Sequence, residues 1–223
     1  MAHSGIEVLF QGKNFLRLMG GLWTSVWIAG VSLGFGLLLG TFLGVLRTLK
    51  NAVLRVVLRL YLEFFTIVLL FLVYYILPRQ FHVEVSAEWM AVLAFSLWIS
   101  AEFSDIVRGA LESVPKHQRE AGLALGLTKG QLFVHVLMPQ AFMLELPAAI
   151  NLATRVVKTT SLLMIISVMD VINVGQQIIE ANNQQYPSGV FWIYGFIFIL
   201  YFIVDYPLSL ISKMLQQKFS ANL

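Results

Sequence analysis

The strongest constraint on the fold is an apolar run from Gly21 to Leu46 that contains no charged residue. A helix needs about 20 predominantly apolar residues to cross the hydrocarbon core of a membrane. The composition agrees, because 58% of the residues are hydrophobic and only 12% are charged, against about 25% charged residues in soluble domains. The sequence therefore predicts an all-α integral membrane protein and excludes a water-soluble globule or a disordered chain.

Five segments are apolar and long enough to be predicted as transmembrane helices: 21–46, 56–77, 89–110, 132–153 and 190–211. Basic residues are concentrated after the first, third and fifth of these segments, as is typical of cytoplasmic loops. All three basic clusters lie in the cytoplasm only if five segments cross, with the N-terminus outside and the C-terminus inside. The formal net charge of +3 is explained by these loops, and no nucleic-acid partner is predicted.

The segment 161–179 lies between the last two predicted spans and changes character along its length. Its first half is apolar, whereas its second half carries Asp170, Asn173 and Gln177. An additional crossing there would place one basic cluster on the wrong side of the membrane. We therefore predict that this segment is re-entrant or interfacial on the outer side, where irregular backbone is tolerated if it is buried in protein.

Residues 1–12 are predicted not to belong to the natural protein. They end in Glu7-Val8-Leu9-Phe10-Gln11-Gly12, which resembles a rhinoviral protease recognition site of the kind used to remove purification tags. Residues 13–223 are then predicted to form a single transmembrane domain. The sequence contains no cysteine, which excludes disulfide bonds, thiolate metal sites and cysteine nucleophiles.

Three glycines of the first predicted span, Gly36, Gly40 and Gly44, are spaced four residues apart, and Ser32 extends the row. On an α-helix this spacing places all of them on one face. Small residues in such a row allow two helices to approach closely within a membrane. We interpret the row as a helix-packing surface rather than as a substrate contact.

The loop 111–131, between the third and fourth predicted spans, contains a short amphipathic element. Pro115 indicates a helix start, and the residues from Glu120 onward are predicted to form a short helix that is broken by Gly126 and Gly130. A helix with small and apolar side chains on one face of a cytoplasmic loop is suited to docking into a groove of a partner protein. The alternative interpretation is a solvated surface helix.

The spacing in this loop resembles the EAA loop of ABC-importer permeases, whose pattern is Glu-Ala-Ala, three residues, Gly, nine residues and Ile-x-Leu-Pro. The matching positions here are Glu120, Ala121, Gly122, Gly126, Val136, Met138 and Pro139. Gly122, Val136 and Met138 depart mildly from the pattern, and the spacing is intact. The resemblance implies that Glu120 anchors the loop helix in an ATPase groove. It also implies that Ala121 and Gly122 permit close approach and that Gly126 turns the chain.

Further motifs, in the same order along the chain, are similar to the polar amino acid uptake branch of this family, which serves substrates such as histidine, glutamate, glutamine and arginine. These motifs lie at 105–109, 113–118, 137–147 and 157–162. Two departures concern the substrate. The family's Arg and Pro are missing after Glu63-Phe64-Phe65, and Glu102 stands where relatives tend to have an aromatic residue. Which amino acid is carried does not follow from the sequence.

The resemblance implies a type I ABC importer fold with five transmembrane helices, a short cytoplasmic coupling helix and the outer segment. It implies a second identical or related permease chain, two cytoplasmic ABC ATPase subunits and an external or periplasmic substrate-binding protein in a bacterial plasma (inner) membrane. The sequence lacks the GxxxxGK[ST] phosphate loop, so ATP and Mg are expected only on the partner subunits. This chain is then a permease subunit, not an enzyme, and has no cofactor, catalytic residue or metal site of its own.

Four charged residues fall at or near membrane depth, where each charge costs roughly 2.5–3.5 kcal/mol on insertion scales. They are Glu102, Asp105, Arg155 and Lys158. In one interpretation, Arg155 or Lys158 binds the carboxylate of an amino acid, and Glu102 or Asp105 binds its ammonium group or a cationic side chain. In the other interpretation, the four charges neutralise one another.

The hydroxyl groups of Thr160 and Ser161 stand at the junction between the fourth predicted span and the outer segment. They are predicted to cap a helix start, with substrate contact as the alternative.

Two other function classes compete with a permease. A secondary transporter or channel would use the same charges without an ATPase, but five spans without an inverted repeat argue against it. An intramembrane enzyme is disfavoured because the HExxH signature is absent and the histidines are scattered.

Overall fold

The computed structural model describes residues 5–48, 56–57, 60, 76, 80 and 86–220, and within these ranges its regular structure is helical. The α-helices are α1 (Glu7–Phe10), α2 (Asn14–Arg47), α3 (Ala87–Ser113), α4 (Lys116–Ala124), α5 (Lys129–Leu132), α6 (Met138–Thr159), α7 (Val171–Asn182) and α8 (Gly189–Ser220). A π-helical segment, Phe133–Leu137, joins α5 to α6, and a 3-10 segment, Thr160–Ile166, follows α6. Apart from isolated positions, the predicted span 56–77, with its Glu63 motif, lies outside the described residues.

Four helical segments in the described part of the chain are long and apolar enough to cross a membrane: Asn14–Arg47, Ala87–Ser113, Lys129–Ile166 and Gly189–Lys218. Each extends beyond its predicted bounds, because hydropathy ends a span near the first polar residues whereas the helical backbone continues. The fourth predicted span stopped at Ala153, but the helix continues through Arg155 and Lys158 to Thr159. Both charged side chains lie on an exposed face of α6, so they do not interrupt its packing.

The row of glycines on α2 is the surface that packs against α3. A Cβ atom added at Gly40 would lie 2.8 Å from the Cβ of Phe103, and one added at Gly44 would lie 2.6 Å from the Cβ of Val107. The interpretation of this row as a packing surface is therefore confirmed. The contacts advance in the same direction along both helices, so α2 and α3 are parallel.

Ser32, at the end of the same row, belongs to Gly30-Val31-Ser32-Leu33-Gly34, which matches the GxSxG spacing of hydrolase nucleophiles. That signature needs a serine exposed on a sharp turn between a strand and a helix. Here Ser32 lies inside α2, is fully buried and donates a 3.3 Å hydrogen bond to the carbonyl of Val92 in α3. The serine is therefore a helix contact and not a nucleophile.

Helix α6 contacts α2, α3 and α8. Its buried residues Leu152 and Val156 belong to one apolar core with Ile99 of α3. On another side, the buried hydroxyl of Ser212 in α8 donates a 3.0 Å hydrogen bond to the carbonyl of Pro147. Arg155 and Lys158 lie on the exposed strip of α6 that these contacts leave open.

The segment after α6 consists of the 3-10 turn and a helix of 12 residues, which is too short to cross a membrane alone. The turn ends at Ser167, whose φ of 58° is left-handed. Helix α7 then packs beside the first turns of α2, where Arg17 donates a 2.7 Å hydrogen bond to Gln177. A second apolar core at this end includes Val8, Leu18 and Ile193. The residues predicted to be a purification remnant therefore contact the domain here.

Asp170 is the N-cap of α7. Its carboxylate accepts hydrogen bonds from the backbone N–H of Asn173 at 2.9 Å and of Ile172 at 3.3 Å. Burial nevertheless raises the pKa of Asp170 from 3.8 to about 6, because the desolvation penalty of the charged form exceeds the effect of the two N–H groups. A carboxyl group whose pKa is raised by folding stabilises the folded state when it is protonated, and this contribution is lost as the pH rises through the folded pKa.

We therefore expect the unfolding temperature of the wild-type protein to fall by a few degrees between about pH 5 and about pH 7, relative to the Asp170→Asn variant. The amide keeps an acceptor for the helix cap but cannot ionise. Thermal unfolding of the two purified proteins, followed by tryptophan fluorescence at several pH values, measures the difference. Parallel pH profiles for the two proteins would contradict the expected role of Asp170.

Candidate functional site

The candidate docking loop folds as the short helix α4, which ends in a glycine turn. Gly126 has a φ of +83°, a left-handed conformation that glycine adopts without steric cost. The backbone N–H of Gly126 bonds to the carbonyl of Leu123 at 3.0 Å, and that of Leu127 bonds to the carbonyl of Gly122 at 3.1 Å. These two bonds form the Schellman arrangement that ends helices. Gly126 therefore turns the chain at the end of α4.

Two contacts hold α4 against the rest of the domain. Arg119 donates a 2.8 Å hydrogen bond to the carbonyl of Leu111, near the end of α3. Gly122 is buried, and its Cα faces the side chain of Leu132 in α5 so closely that an added Cβ atom would overlap it. A Cβ atom at this position would require the flexible end of the Leu132 side chain to move. The absence of a side chain at Gly122 thus leaves room for the Leu132 side chain against α4.

The opposite face of α4 and the turn after it are open. Leu125 is 83% exposed and Leu123 is 50% exposed, and Glu120 and Ala121 are exposed beside them. Apolar side chains that are exposed together, with polar residues around them, are typical of a protein–protein contact surface. We call these four residues the docking face.

The prediction that Gly130 breaks the loop helix is wrong. Gly130 lies inside α5, which is started by a capping box between Thr128 and Gln131. The backbone N–H of Gln131 donates to the Thr128 hydroxyl at 3.4 Å, and the backbone N–H of Thr128 donates to the Gln131 side chain at 3.0 Å. Pro139, the last residue of the loop motif, follows the wider π-helical turn Phe133–Leu137 and is exposed. A widened turn reduces the clash that proline causes inside a helix.

Glu102 and Arg155 form an ion pair between α3 and α6. The Arg155 Nη2 donates to the Glu102 Oε2 at 2.7 Å, and the side chains are 52% and 38% exposed, respectively. The guanidinium of Arg155 also lies 6.0 Å from the centre of the Trp98 ring. For this pair, the structure agrees with the interpretation that the charges neutralise each other, and both remain accessible from one side of the bundle.

Asp105 does not pair with Arg155 or Lys158, as mutual neutralisation of the four charges would require. Its carboxylate accepts a 2.7 Å hydrogen bond from Arg47 at the end of α2 and lies 3.5 Å from the guanidinium of Arg108. Arg47 follows the first predicted span directly, among the basic residues expected in a loop, but its side chain is only 12% exposed. Asp105 therefore joins the ends of α2 and α3 and is separate from Glu102 and Arg155.

The prediction that Thr160 and Ser161 cap a helix start is wrong. Thr160 is fully buried, and its hydroxyl donates a 2.7 Å hydrogen bond to the carbonyl of Val157 in the preceding turn. The helix that follows is capped by Asp170. Ser161 is half-buried, and Lys158 is exposed on the same helix as Arg155.

Two buried carboxylates were missed in the sequence. Glu145 of α6 is 8% exposed and lines a cavity of about 350 Å³ with Leu111 and Pro139. Asp205 of α8 is 7% exposed and lines a cavity of about 410 Å³ that also contains Lys158. Each is the one acidic residue in its predicted span, so a count of charges within the spans would have found both.

The comparisons with known proteins agree on one family of membrane transport proteins. A family model described as "binding-protein-dependent transport system inner membrane component" matches residues 34–220. The chain is 34% identical over 152 residues to the L-cystine transport system permease protein TcyB of Bacillus subtilis, a match that covers 68% of this chain and 63% of the relative. It is 31% identical over 153 residues to the glutamine transport system permease protein GlnP of Escherichia coli, with 68% of each chain covered.

Solved structures share the fold. A chain from the crystal structure of an amino acid ABC transporter with histidines superposes with a TM-score of 0.81 at 23% identity, covering 92% of this chain and 95% of that one. A chain of the inward-facing MetNI methionine ABC transporter superposes with a TM-score of 0.70 at 17% identity, covering 90% and 96%. The arrangement of helices is therefore that of known ABC-importer membrane subunits.

Proposed function

The chain belongs to the family of binding-protein-dependent transport system inner membrane components, and on that premise we propose that it is the permease subunit of an ATP-driven amino acid importer. Relatives are described as permeases for cystine, arginine and glutamine. The substrate class proposed here is therefore a polar amino acid, delivered by an external substrate-binding protein in a bacterial inner membrane.

The observation that carries this proposal is the docking face on α4. Leu123 and Leu125 present apolar surface beside Glu120 and Ala121, and an amphipathic helix of this kind fits a groove on a partner. The partner is a cytoplasmic ABC ATPase subunit that carries ATP and Mg. Because Arg119 links α4 directly to α3, a displacement of α4 by the ATPase moves a spanning helix with it.

The parallel packing of α2 and α3 supports a topology with five crossings. Two spans can run in the same direction through a membrane only if the chain crosses back between them. A span at 56–77 would provide that crossing. The N-terminus then lies outside and the C-terminus in the cytoplasm, and α7 lies at the outer end beside Arg17. A second permease chain, identical or related, completes the membrane domain together with two ATPase subunits.

The translocation path follows the exposed strip of α6 that faces α3. Glu102, Arg155 and Lys158 are its accessible charges, and Ser161 lies one turn further along. Asp105 and Thr160 are not assigned to the path. Asp105 already joins α2 to α3, and Thr160 is fully buried.

The test of this function is reconstitution into lipid vesicles with the candidate ATPase and binding protein. We expect a radiolabelled amino acid to be taken up only when ATP is enclosed in the vesicle, on the side of the membrane where the ATPase lies. Uptake should stop when the ATPase cannot hydrolyse ATP. The control is a vesicle without the binding protein, which is expected to import little. Uptake that follows an ion gradient without ATP would instead identify a secondary transporter or channel.

Breaking the Glu102–Arg155 pair is expected to change transport. Either Glu102→Gln or Arg155→Gln leaves one charge unpaired, and for a partly exposed pair this amounts to about 1 kcal/mol, or about a fivefold change in uptake rate. The measurement is the initial rate of ATP-driven uptake in the reconstituted system. Glu112→Gln, which removes a carboxylate that is 57% exposed, against 38% for Glu102, from an ion pair within α3, is the control. If neither variant of the pair changed the rate or the range of substrates, the pair would have no part in the path.

A further inference from the structure

The cavity between α6 and α8 carries two opposite charges that do not touch each other. It has a volume of about 410 Å³ and is lined by Lys158 of α6 and by Asp205 and Ser209 of α8, with the rings of Phe202 and Tyr206 as walls. Lys158 is one of the accessible charges of the proposed translocation path, whereas Asp205 is not part of that path.

The environment of Asp205 favours the binding of a positively charged partner. It lies near the middle of α8 (Gly189–Ser220), about 24 Å from the start of that helix at 1.5 Å per residue. Its side chain is 7% exposed, and its Oδ1 atom is buried without a hydrogen-bond partner among the residues that the structure describes. An ionisable group at membrane depth is costly, and it ordinarily pairs with another charge or binds a ligand.

Lys158 does not supply that partner directly. Among the ion pairs between described residues, none joins Lys158 to Asp205, whereas Glu102 and Arg155 are in contact at 2.7 Å. The ammonium of Lys158 and the carboxylate of Asp205 thus face one cavity with hydrogen-bonding capacity left on both. The side chains of Glu102 and Arg155, in contrast, already bond to each other.

An amino acid zwitterion has the complementary pair of charges. The geometry points to Asp205 as the group that binds the α-ammonium of the transported amino acid, and to Lys158 as the group that binds its α-carboxylate. The aromatic walls contribute an electron-rich surface that also favours the ammonium. This site rests on the proposed function and deepens it, since it would recognise the part that all amino acids share and leave selection of the side chain to other groups.

The first test uses the absence of native cysteine. Ser209→Cys places a single thiol in the cavity, and Ser86→Cys places one in the exposed residue before α3 as a control. Both are treated with a cationic methanethiosulfonate reagent in the complete reconstituted transporter. The ligand is whichever common amino acid, cysteine excepted, that transporter imports fastest.

We expect this amino acid to slow modification of the Ser209→Cys thiol at least about fivefold, with no effect on the Ser86→Cys thiol. Adding Asp205→Asn to the Ser209→Cys protein should abolish the protection. A transporter that imports amino acids while its Ser209→Cys thiol never reacts, or reacts equally fast with and without substrate, would overturn the site.

The second test compares transport kinetics of Asp205→Asn, Lys158→Gln and the double variant. Each single variant is expected to raise the KM for uptake about tenfold or more. The double variant should be at least as impaired as either single one. If the two charges only neutralise each other, the double variant will recover wild-type uptake, and the proposal is then refuted. Failure of the wild-type transporter to import any amino acid with ATP would contradict the proposed function instead.

Discussion

Replacing Gly126 by valine is expected to reduce ATP-driven uptake by about tenfold or more while the permease remains folded. A non-glycine residue in the left-handed conformation costs about 1–2 kcal/mol, and a branched one more, and every 1.4 kcal/mol is about tenfold in an equilibrium. Gly126 holds a φ of +83° in the turn that ends α4. Since α4 has only 9 residues, it has no adjacent turns that can absorb the change, and the docking face is displaced.

The same substitution at Gly130 is the matched control. Gly130 lies in the same loop, has open space around it and does not need a left-handed backbone. Gly130→Val should therefore retain uptake, and Gly126→Asn should be intermediate, because asparagine tolerates the left-handed region better than valine. Uptake and ATPase rates are measured in reconstituted vesicles, and size-exclusion chromatography verifies that each permease is folded. Equal uptake by Gly126→Val and Gly130→Val would show that the turn does not position the docking face.

These two glycines also show how far the sequence could predict the loop. The break at Gly126 follows from its place after a short amphipathic helix. Gly130 looked like the same signal, but it lies between Thr128 and Gln131, which form a capping box that starts a helix. The Thr-x-x-Gln spacing of that box is visible in the sequence. The error came from giving more weight to glycine than to the cap around it.

The charged residues of the candidate site were harder to place, for a physical reason. Spacing along one helix predicts which residues share a face, but it does not predict which residue of another helix lies opposite. Arg155 meets Glu102, and Lys158 shares a cavity with Asp205, although each pair is far apart in the chain. The apolar stretches predicted the long helices well, whereas the end of α6 was missed because its charges lie on an exposed strip that hydropathy averages with the buried face.

Replacing Gly40 by alanine should destabilise the protein, and the same change at Gly34 should not. An added Cβ atom at Gly40 would lie 2.8 Å from the Cβ of Phe103 and 3.0 Å from the carbonyl oxygen of Ser100. Neither atom is at the end of a flexible side chain, so the two helices must separate. Overpacking of this kind costs about 1–3 kcal/mol, and a domain of this size loses roughly 2–4 °C in unfolding temperature per kcal/mol.

Gly34 lies on the same helix with open space around it, and alanine there removes the unfavourable backbone entropy of glycine, worth about 0.5–1 kcal/mol. The two alanine variants are therefore expected to shift the unfolding temperature in opposite directions, and Gly40→Leu should prevent accumulation of folded protein. Thermal unfolding in detergent, followed by tryptophan fluorescence, compares them. If Gly40→Ala were as stable as Gly34→Ala, the close parallel contact between α2 and α3 would not exist in solution. The topology that depends on their shared direction would then lose its main support.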